Sequence, residues 1–559
     1  MLLGIILFND TASGVTSSLV FVYCARFLMG RSILSAFRLD ASGWRSGSVA
    51  FPSLVYEFGV LSGAVYKARQ AYSTDASASV VALPAGATTV YVCVRSANIK
   101  DSGRAVVPIG PKACSTCVVQ ISAQVTKEAV ADQISALKES AYKSSSVTTS
   151  SALGAVQKLA AVATVTNATD SSNAQTVMEL ASDLLTQLVN ASSEVNDTAS
   201  MVAVFDGVGT LWSMANASSR AAVVDGVSAL SAKLASQSLT PEDAQPVMAL
   251  FSQMLDSAVE IASTQGASTS AGSATSQRKE AARSLLASMT QATASLTRGL
   301  LNAAPNNGST VHLVTARLSA AVQRATAALA SAGLTLAVNT PPGSGAATGR
   351  RLLAVSASPA SISLNPTVGS LCAADAICAV DGIGLTLTAT ADTSLLAMAL
   401  DGSFAPLAAA QPDFVAGSVV QVISPIVRVA APGLPSAALG LSTLIILDLP
   451  VDVTMVNSSA KRVVVRLQDV GAAPADAGSG IVAAASSTRT RASASAADTV
   501  SAIQAVSDSL GDFVVVQYTT GIAEPNSGSV PGAAGLARPS ALLSAILVGA
   551  ATLAVTLLA

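Results

Sequence analysis

Thr240 to Ala262 reads TPEDAQPVMALFSQMLDSAVEIA. Val247, Phe251, Met254, Ala258 and Ile261 recur at helical spacing and form one apolar stripe. Thr240 supplies a capping hydroxyl, Pro241 suits the first turn, and Glu242 and Asp243 complement the positive end of the helix dipole. Pro246 conflicts with that start, so the helix begins near Gln245 or its first turn is kinked.

Outward from this stretch the same period continues. Val177, Leu180, Leu184 and Leu188 make a second stripe, and Val223, Val227, Leu230 and Leu234 a third. A fourth runs through Leu285, Met289, Ala292, Leu296 and Leu300, with shorter candidates at 128–142 and 151–163. Residues 126–307 therefore predict a bundle of antiparallel helices. The Ser/Gly-rich run 263–276 predicts a flexible linker inside it.

On either side the period changes to two. Leu54–Phe58 and Thr89–Val94 read as strands, with Val90, Val92 and Val94 on one face, and 31–125 predicts a β-sandwich-like module. Strands are also expected at 361–364, 385–389, 419–423, 426–429, 443–449, 463–467 and 513–518, making 308–523 a β-rich domain. The fold class is thus multidomain α plus β. Residues 1–30 are a poorly defined leader with two apolar runs too short to span a membrane.

Residues 541–559, ALLSAILVGAATLAVTLLA, carry no charge, and a helix of that length spans roughly 28 Å, about one hydrocarbon thickness. A Pro/Gly-rich linker, 524–540, precedes this hydrophobic tail. The small residues Asn526, Ser527 and Gly528, a polar spacer and the terminal apolar run form the pattern of a glycolipid (GPI) anchor signal, with Asn526 or Ser527 as attachment site. A single membrane-spanning helix is the other reading. The expected partners are the membrane, through the tail or lipid anchor, and an extracellular protein or glycan ligand of unknown identity.

Six cysteines in an outward-facing chain predict disulfides. Cys372 with Cys378 closes a short loop, and Cys93 is expected to pair with Cys114 or Cys117. Cys114-Ser115-Thr116-Cys117 also has redox-motif spacing, but no thioredoxin-like pattern surrounds it. N-x-S/T sequons at Asn9, Asn167, Asn190, Asn196, Asn216, Asn307 and Asn457 predict a glycoprotein.

A net charge of −2 gives no electrostatic case for nucleic acid. The single histidine, His312, argues against most acid–base, triad and zinc chemistry, and reads as a strand-surface residue. No phosphate-binding loop, nucleophile elbow or zinc-protease motif is present, and Gly382-Ile383-Gly384 reads as a loop. No catalytic residue, metal site or cofactor is expected.

Phe37-x-Leu39-x-Ala41-x-x-Trp44, followed by Pro52-Ser53-Leu54-Val55-Tyr56-Glu57-Phe58-Gly59, resembles the receptor-for-egg-jelly (REJ) module over roughly residues 30–125. The order REJ module, helices, β-rich segment and membrane resembles a polycystin-type ectodomain. There the helical and β parts look like a GAIN domain, the self-cleaving fold of adhesion receptors. Its cleavage motif reads Cys-x-His-Leu-Thr/Ser-x-Phe. Here Leu510 and Phe513 match, but Ser509 stands for the His and Gly511 for the nucleophile, so no self-cleavage is expected. The resemblance implies a non-enzymatic extracellular recognition, adhesion or structural protein. The alternative is a truncated ectodomain of a polycystin-like channel or receptor, and the remote one a secreted enzyme.

Overall fold

The computed structural model describes residues 127–143, 148–166, 171–265, 271–341, 359–391, 420–451, 460–467 and 500–518. It also describes strands between 36 and 121 and short strands at 5–6, 20–21, 481–484 and 488–492. Trp44 and the anchor candidates Asn526 and Ser527 lie outside these residues, as does the tail 541–559.

The first strands are β1 (Ile5–Ile6) and β2 (Val20–Phe21), an antiparallel pair. β3 (Ala36–Asp40) pairs with β6 (Ser77–Val81). β4 (Ser53–Ser62), β5 (Val65–Ser73), β7 (Gly86–Ile99) and β8 (Val106–Ile121) form a second antiparallel sheet in the order β5-β4-β7-β8. Alternation drives Tyr56, Phe58, Val60, Val90, Val92 and Val94 into one core, which Ala161 from the helices also joins. The opposite face is buried too, through Val55, Glu57, Tyr91 and Cys93. There the Tyr91 hydroxyl donates to Glu57 Oε1 at 3.0 Å. Burial pushes the Tyr56 phenol up from its ordinary pKa.

Seven helices follow: α1 (Lys127–Lys143), α2 (Thr149–Thr166), α3 (Ser171–Ala191), α4 (Thr198–Trp212), α5 (Ala217–Leu234), α6 (Pro241–Gln265) and α7 (Ala271–Ala303). α6 starts at Pro241 and carries Pro246 inside it, so the start at Gln245 does not apply. A reciprocal cap fixes that start. The Thr240 hydroxyl donates to Asp243 Oδ2 at 2.7 Å and accepts from the Asp243 N–H at 3.2 Å. The flexible linker expected over 263–276 is corrected: α6 runs to Gln265 and α7 begins at Ala271. Ala271 and Ala274, with the good helix formers Gln277, Arg278 and Lys279 just beyond, let α7 begin inside that run.

α4 is the helix that periodicity missed. Met201, Val204, Phe205, Val208, Leu211 and Trp212 are buried along one face, at the spacing of a helical stripe. Ala199, Val202 and Gly209 make the half-buried side apolar as well, so the stripe does not stand out from a nearly uniform sequence. Phe205 meets Phe251 of α6 edge-on at 6.1 Å, and Trp212 Nε1 donates to Ser257 Oγ of α6 at 2.8 Å.

The last part stacks two antiparallel sheets. The larger uses β9 (Thr310–Val314), β10 (Leu318–Ala325), β13 (Ile383–Thr390), β15 (Ile426–Ala430), β17 (Lys461–Leu467), β18 (Ile481–Ala484) and β21 (Gly511–Tyr518), in the order β18-β17-β21-β15-β13-β10-β9. β14 (Val420–Val422) also pairs with β21. The smaller uses β11 (Thr335–Val338), β12 (Ala360–Leu364), β16 (Ile445–Pro450), β19 (Thr488–Ala492) and β20 (Val500–Ser507), in the order β11-β12-β16-β20-β19. Short helices α8 (Ala327–Ser331), α9 (Thr367–Ala374) and α10 (Ala376–Asp381) connect strands.

The larger sheet is the middle layer of three. Val514, Val516 and Tyr518 of β21 join the helical core, whereas Phe513 and Val515 join the core between the sheets. Burial on both faces explains the unbroken apolar run of this strand. Gly384 belongs to β13, which corrects its reading as loop; only Gly382, at φ +75°, is outside the strand. A Cβ on Gly384 would overlap Leu301 of α7, so the helix lies directly on the sheet there.

Candidate functional site

Among the described residues are covalent braces and a turn where the chain passes between sheets.

β7 and β8 place Cys93 directly opposite Cys114, with Cα atoms 4.0 Å apart, and the two are joined by a disulfide. Cys117 is also disulfide-bonded. On a strand, positions three apart face opposite ways. Cys114 and Cys117 are therefore directed to different faces of β8 and do not act as a redox pair. Cys372 at the end of α9 bonds Cys378 in α10, and both are buried. Asp375 caps α10 by accepting from the N–H groups of Ile377 and Cys378 at 3.0 and 2.9 Å.

Of the sequon asparagines, Asn190 and Asn196 are exposed near the end of α3 and in the loop after it. Asn216 is half-buried as the cap of α5, its side-chain oxygen accepting from Ser219 N–H at 2.8 Å. Asn307 is exposed between α7 and β9. Asn9, Asn167 and Asn457 lie outside the described residues.

The turn 508–510 takes the chain from β20 in the smaller sheet to β21 in the larger. Ser507 Oγ donates to Ser509 O at 2.9 Å and accepts from Ser509 N–H at 3.2 Å. Arg466 Nη1 donates to Ser509 Oγ. Ser509 Oγ in turn donates to Asp508 Oδ1 at 3.0 Å. Gly511 follows at φ +144° with no side chain to attack a carbonyl. Gly511 thus lacks the hydroxyl at the position where the cleavage motif needs its nucleophile, and Ser509 stands where the motif has its His.

Two arginines tie the larger sheet to the helices. Arg428 of β15 pairs with Asp512 of β21 at 3.0 Å and donates to Thr290 O of α7 at 2.7 Å. Arg317, in the β9–β10 turn, pairs with Asp256 of α6, and its N–H donates to Ser252 Oγ at 3.1 Å.

A groove of about 530 Å³ lies between α2, α4 and α6. Thr164, Asp206, Thr210, Ser213 and Gln253 give it hydrogen-bonding groups, and Phe205 and Leu250 an apolar floor. Gln253 Oε1 is buried there without a hydrogen-bond partner. Among the described residues no group of His, Cys, Asp and Glu has the arrangement of a metal site. Among them, too, no helix is long and apolar enough to cross a membrane.

No protein-family model and no curated protein matches this chain. Among solved structures, the full extracellular region of zebrafish Gpr126/Adgrg6 is similar at 10% identity and a TM-score of 0.24, over 61% of this chain and 34% of that one. The match therefore spans about a third of that protein's length.

Proposed function

We propose that this chain is an outward-facing, membrane-attached recognition or adhesion protein without enzymatic activity. The observation that carries the reading is the pair of disulfides, Cys93–Cys114 and Cys372–Cys378. Such bonds persist in oxidising compartments and are rare in the cytosol. The sequons agree with that address, and the apolar run 541–559 supplies the means of attachment. In this reading residues 31–125 are a REJ-like module, and 126–307 with 308–523 a GAIN-like pair that has lost its cleavage chemistry. The partner is an extracellular protein or glycan. The groove between α2, α4 and α6 has hydroxyl, amide and carboxylate groups suited to a hydroxylated ligand.

Expression of the full chain in a secretory eukaryotic cell tests this. Surface display with oxidised cysteines, and release by a phosphatidylinositol-specific phospholipase, is the expected result. Retention after that treatment replaces the lipid anchor with a membrane span. Recovery from cytosol with reduced cysteines refutes the reading altogether.

A further inference from the structure

β9 is the open edge of the larger sheet. It pairs with β10 on one side, and among the described residues no strand pairs with the other. The direction of its backbone groups follows from the hairpin. Thr315 N–H donates to Leu318 O at 2.8 Å. Hydrogen-bonded and non-hydrogen-bonded pairs alternate along an antiparallel ladder, so Val311 and Leu313 also direct their backbone groups at β10. Thr310, His312 and Val314 turn theirs outward.

Edges of this kind are normally blunted by a charge, a proline or a bulge. Thr310–Val314 reads TVHLV and has no charged residue or proline, and its pairing with β10 shows no register shift. Leu313 is buried in the helical core, whereas His312 is exposed and Val314 is 44% exposed.

A guard of another kind stands immediately upstream. Asn307-Gly308-Ser309 is a sequon, and Asn307 is exposed. Its Oδ1 accepts from Ser309 N–H at 2.9 Å, which leaves Nδ2, the atom that carries a glycan, outside that bond. The sequon is also fixed in place. Gly308 N–H donates to Arg324 O at 2.8 Å, and Gln323 Nε2 donates to Gly308 O at 2.5 Å. Gly308 adopts φ +79°, a conformation that glycine takes without strain. A sugar on Asn307 is therefore held beside the start of the edge, three residues before Thr310.

We propose that Asn307 carries an N-linked glycan that caps the β9 edge, and that without it two copies of this chain pair β9 to β9. An antiparallel twofold pairing sets His312 opposite its own copy and Thr310 opposite Val314, so the outward groups of all three residues meet partners. No charge within the strand opposes that approach, and the nearby Arg317 is already paired with Asp256. The inference rests on the outward-facing reading, because a chain acquires such a glycan on the secretory route.

The test uses the full chain from a secretory eukaryotic host, in mild detergent, by sedimentation and by glycopeptide mass spectrometry. Wild type is expected to be monomeric with Asn307 occupied. Asn307→Gln and Ser309→Ala, two independent ways to remove the sugar, are expected to double the sedimenting mass in a concentration-dependent manner. Adding His312→Pro removes only an outward N–H, which an edge strand tolerates, and is expected to restore the monomer. Glycan-free variants that stay monomeric overturn the proposal, as does a dimer that His312→Pro leaves intact. Occupancy at Asn190 or Asn216 with Asn307 bare also overturns it, while leaving the outward-facing reading standing. If every sequon is bare, that underlying reading fails as well.

Discussion

Arg428 and Asp512 form an ion pair across two strands of the middle sheet, 3.0 Å apart and mostly shielded from water, and the same guanidinium caps the Thr290 carbonyl of α7. One side chain thereby ties β15, β21 and the helical layer together. Truncation to Arg428→Ala takes away the guanidinium that a shielded carboxylate and a helix carbonyl share. The expected loss is about 2–4 kcal/mol, given that removing one partner of a buried pair costs about 3–5 kcal/mol and this pair keeps some contact with solvent. Urea unfolding followed by circular dichroism measures it. Arg428→Met with Asp512→Leu is expected to recover most of the loss, because both charges of this pair are removed together.

Gly384→Ala drives a methyl group into Leu301 of α7. The expected cost is about 1–3 kcal/mol, typical of overpacking. Leu301→Ala in the same chain opens the space, so the double variant should be more stable than the two separate losses predict. A double-mutant cycle that shows simple additivity refutes the contact.

Trp212→Phe keeps the ring in the centre of the bundle and removes the bond to Ser257 Oγ. A loss of about 0.5–1.5 kcal/mol is expected, since Ser257 keeps its own bond to Gln253 O at 2.9 Å. Trp212→Ala, which also leaves a cavity, should cost about 3–5 kcal/mol. Thermal melting of both variants orders the two effects.

Cys93–Cys114 and Cys372–Cys378 span different lengths of chain, 21 and 6 residues. On the chain-entropy model, opening the first costs about 3 kcal/mol and the second about 2 kcal/mol. Cys93→Ser with Cys114→Ser should therefore lower stability more than Cys372→Ser with Cys378→Ser. Denaturant midpoints of the two double variants decide the order.

No self-cleavage is expected at Leu510–Gly511, where the attacking position has no side chain and the neighbouring Ser509 hydroxyl is engaged by Arg466. The full chain should run as one band on a denaturing gel. A fragment beginning at Gly511 would refute this.

The helical bundle was legible where each helix faces the core on one side only, as in α3, α5 and α6. α4 was not, because apolar residues off its buried face, Ala199, Val202 and Gly209, blur the stripe through Met201, Phe205, Val208 and Trp212. β10 was missed for a related reason: Ser319, Ala320, Ala321 and Val322 are all buried between two layers, and the segment lacks the alternation of a half-exposed strand. Of the cysteines, spacing alone left Cys93 with two partners. The choice of Cys114 follows from the β7–β8 register, a nonlocal quantity. The role of Cys114-Ser115-Thr116-Cys117 likewise depends on its being strand, which the prolines at 108 and 111 obscured; an edge strand accommodates them.

The position of β21 has a mechanical consequence. It is an interior strand, flanked by β17 on one side and by β15 and β14 on the other. Tension applied through Tyr518 along the strand axis must shear both flanking ladders together and cannot peel them apart one bond at a time. The domain is thus built to bear load at this end as a unit.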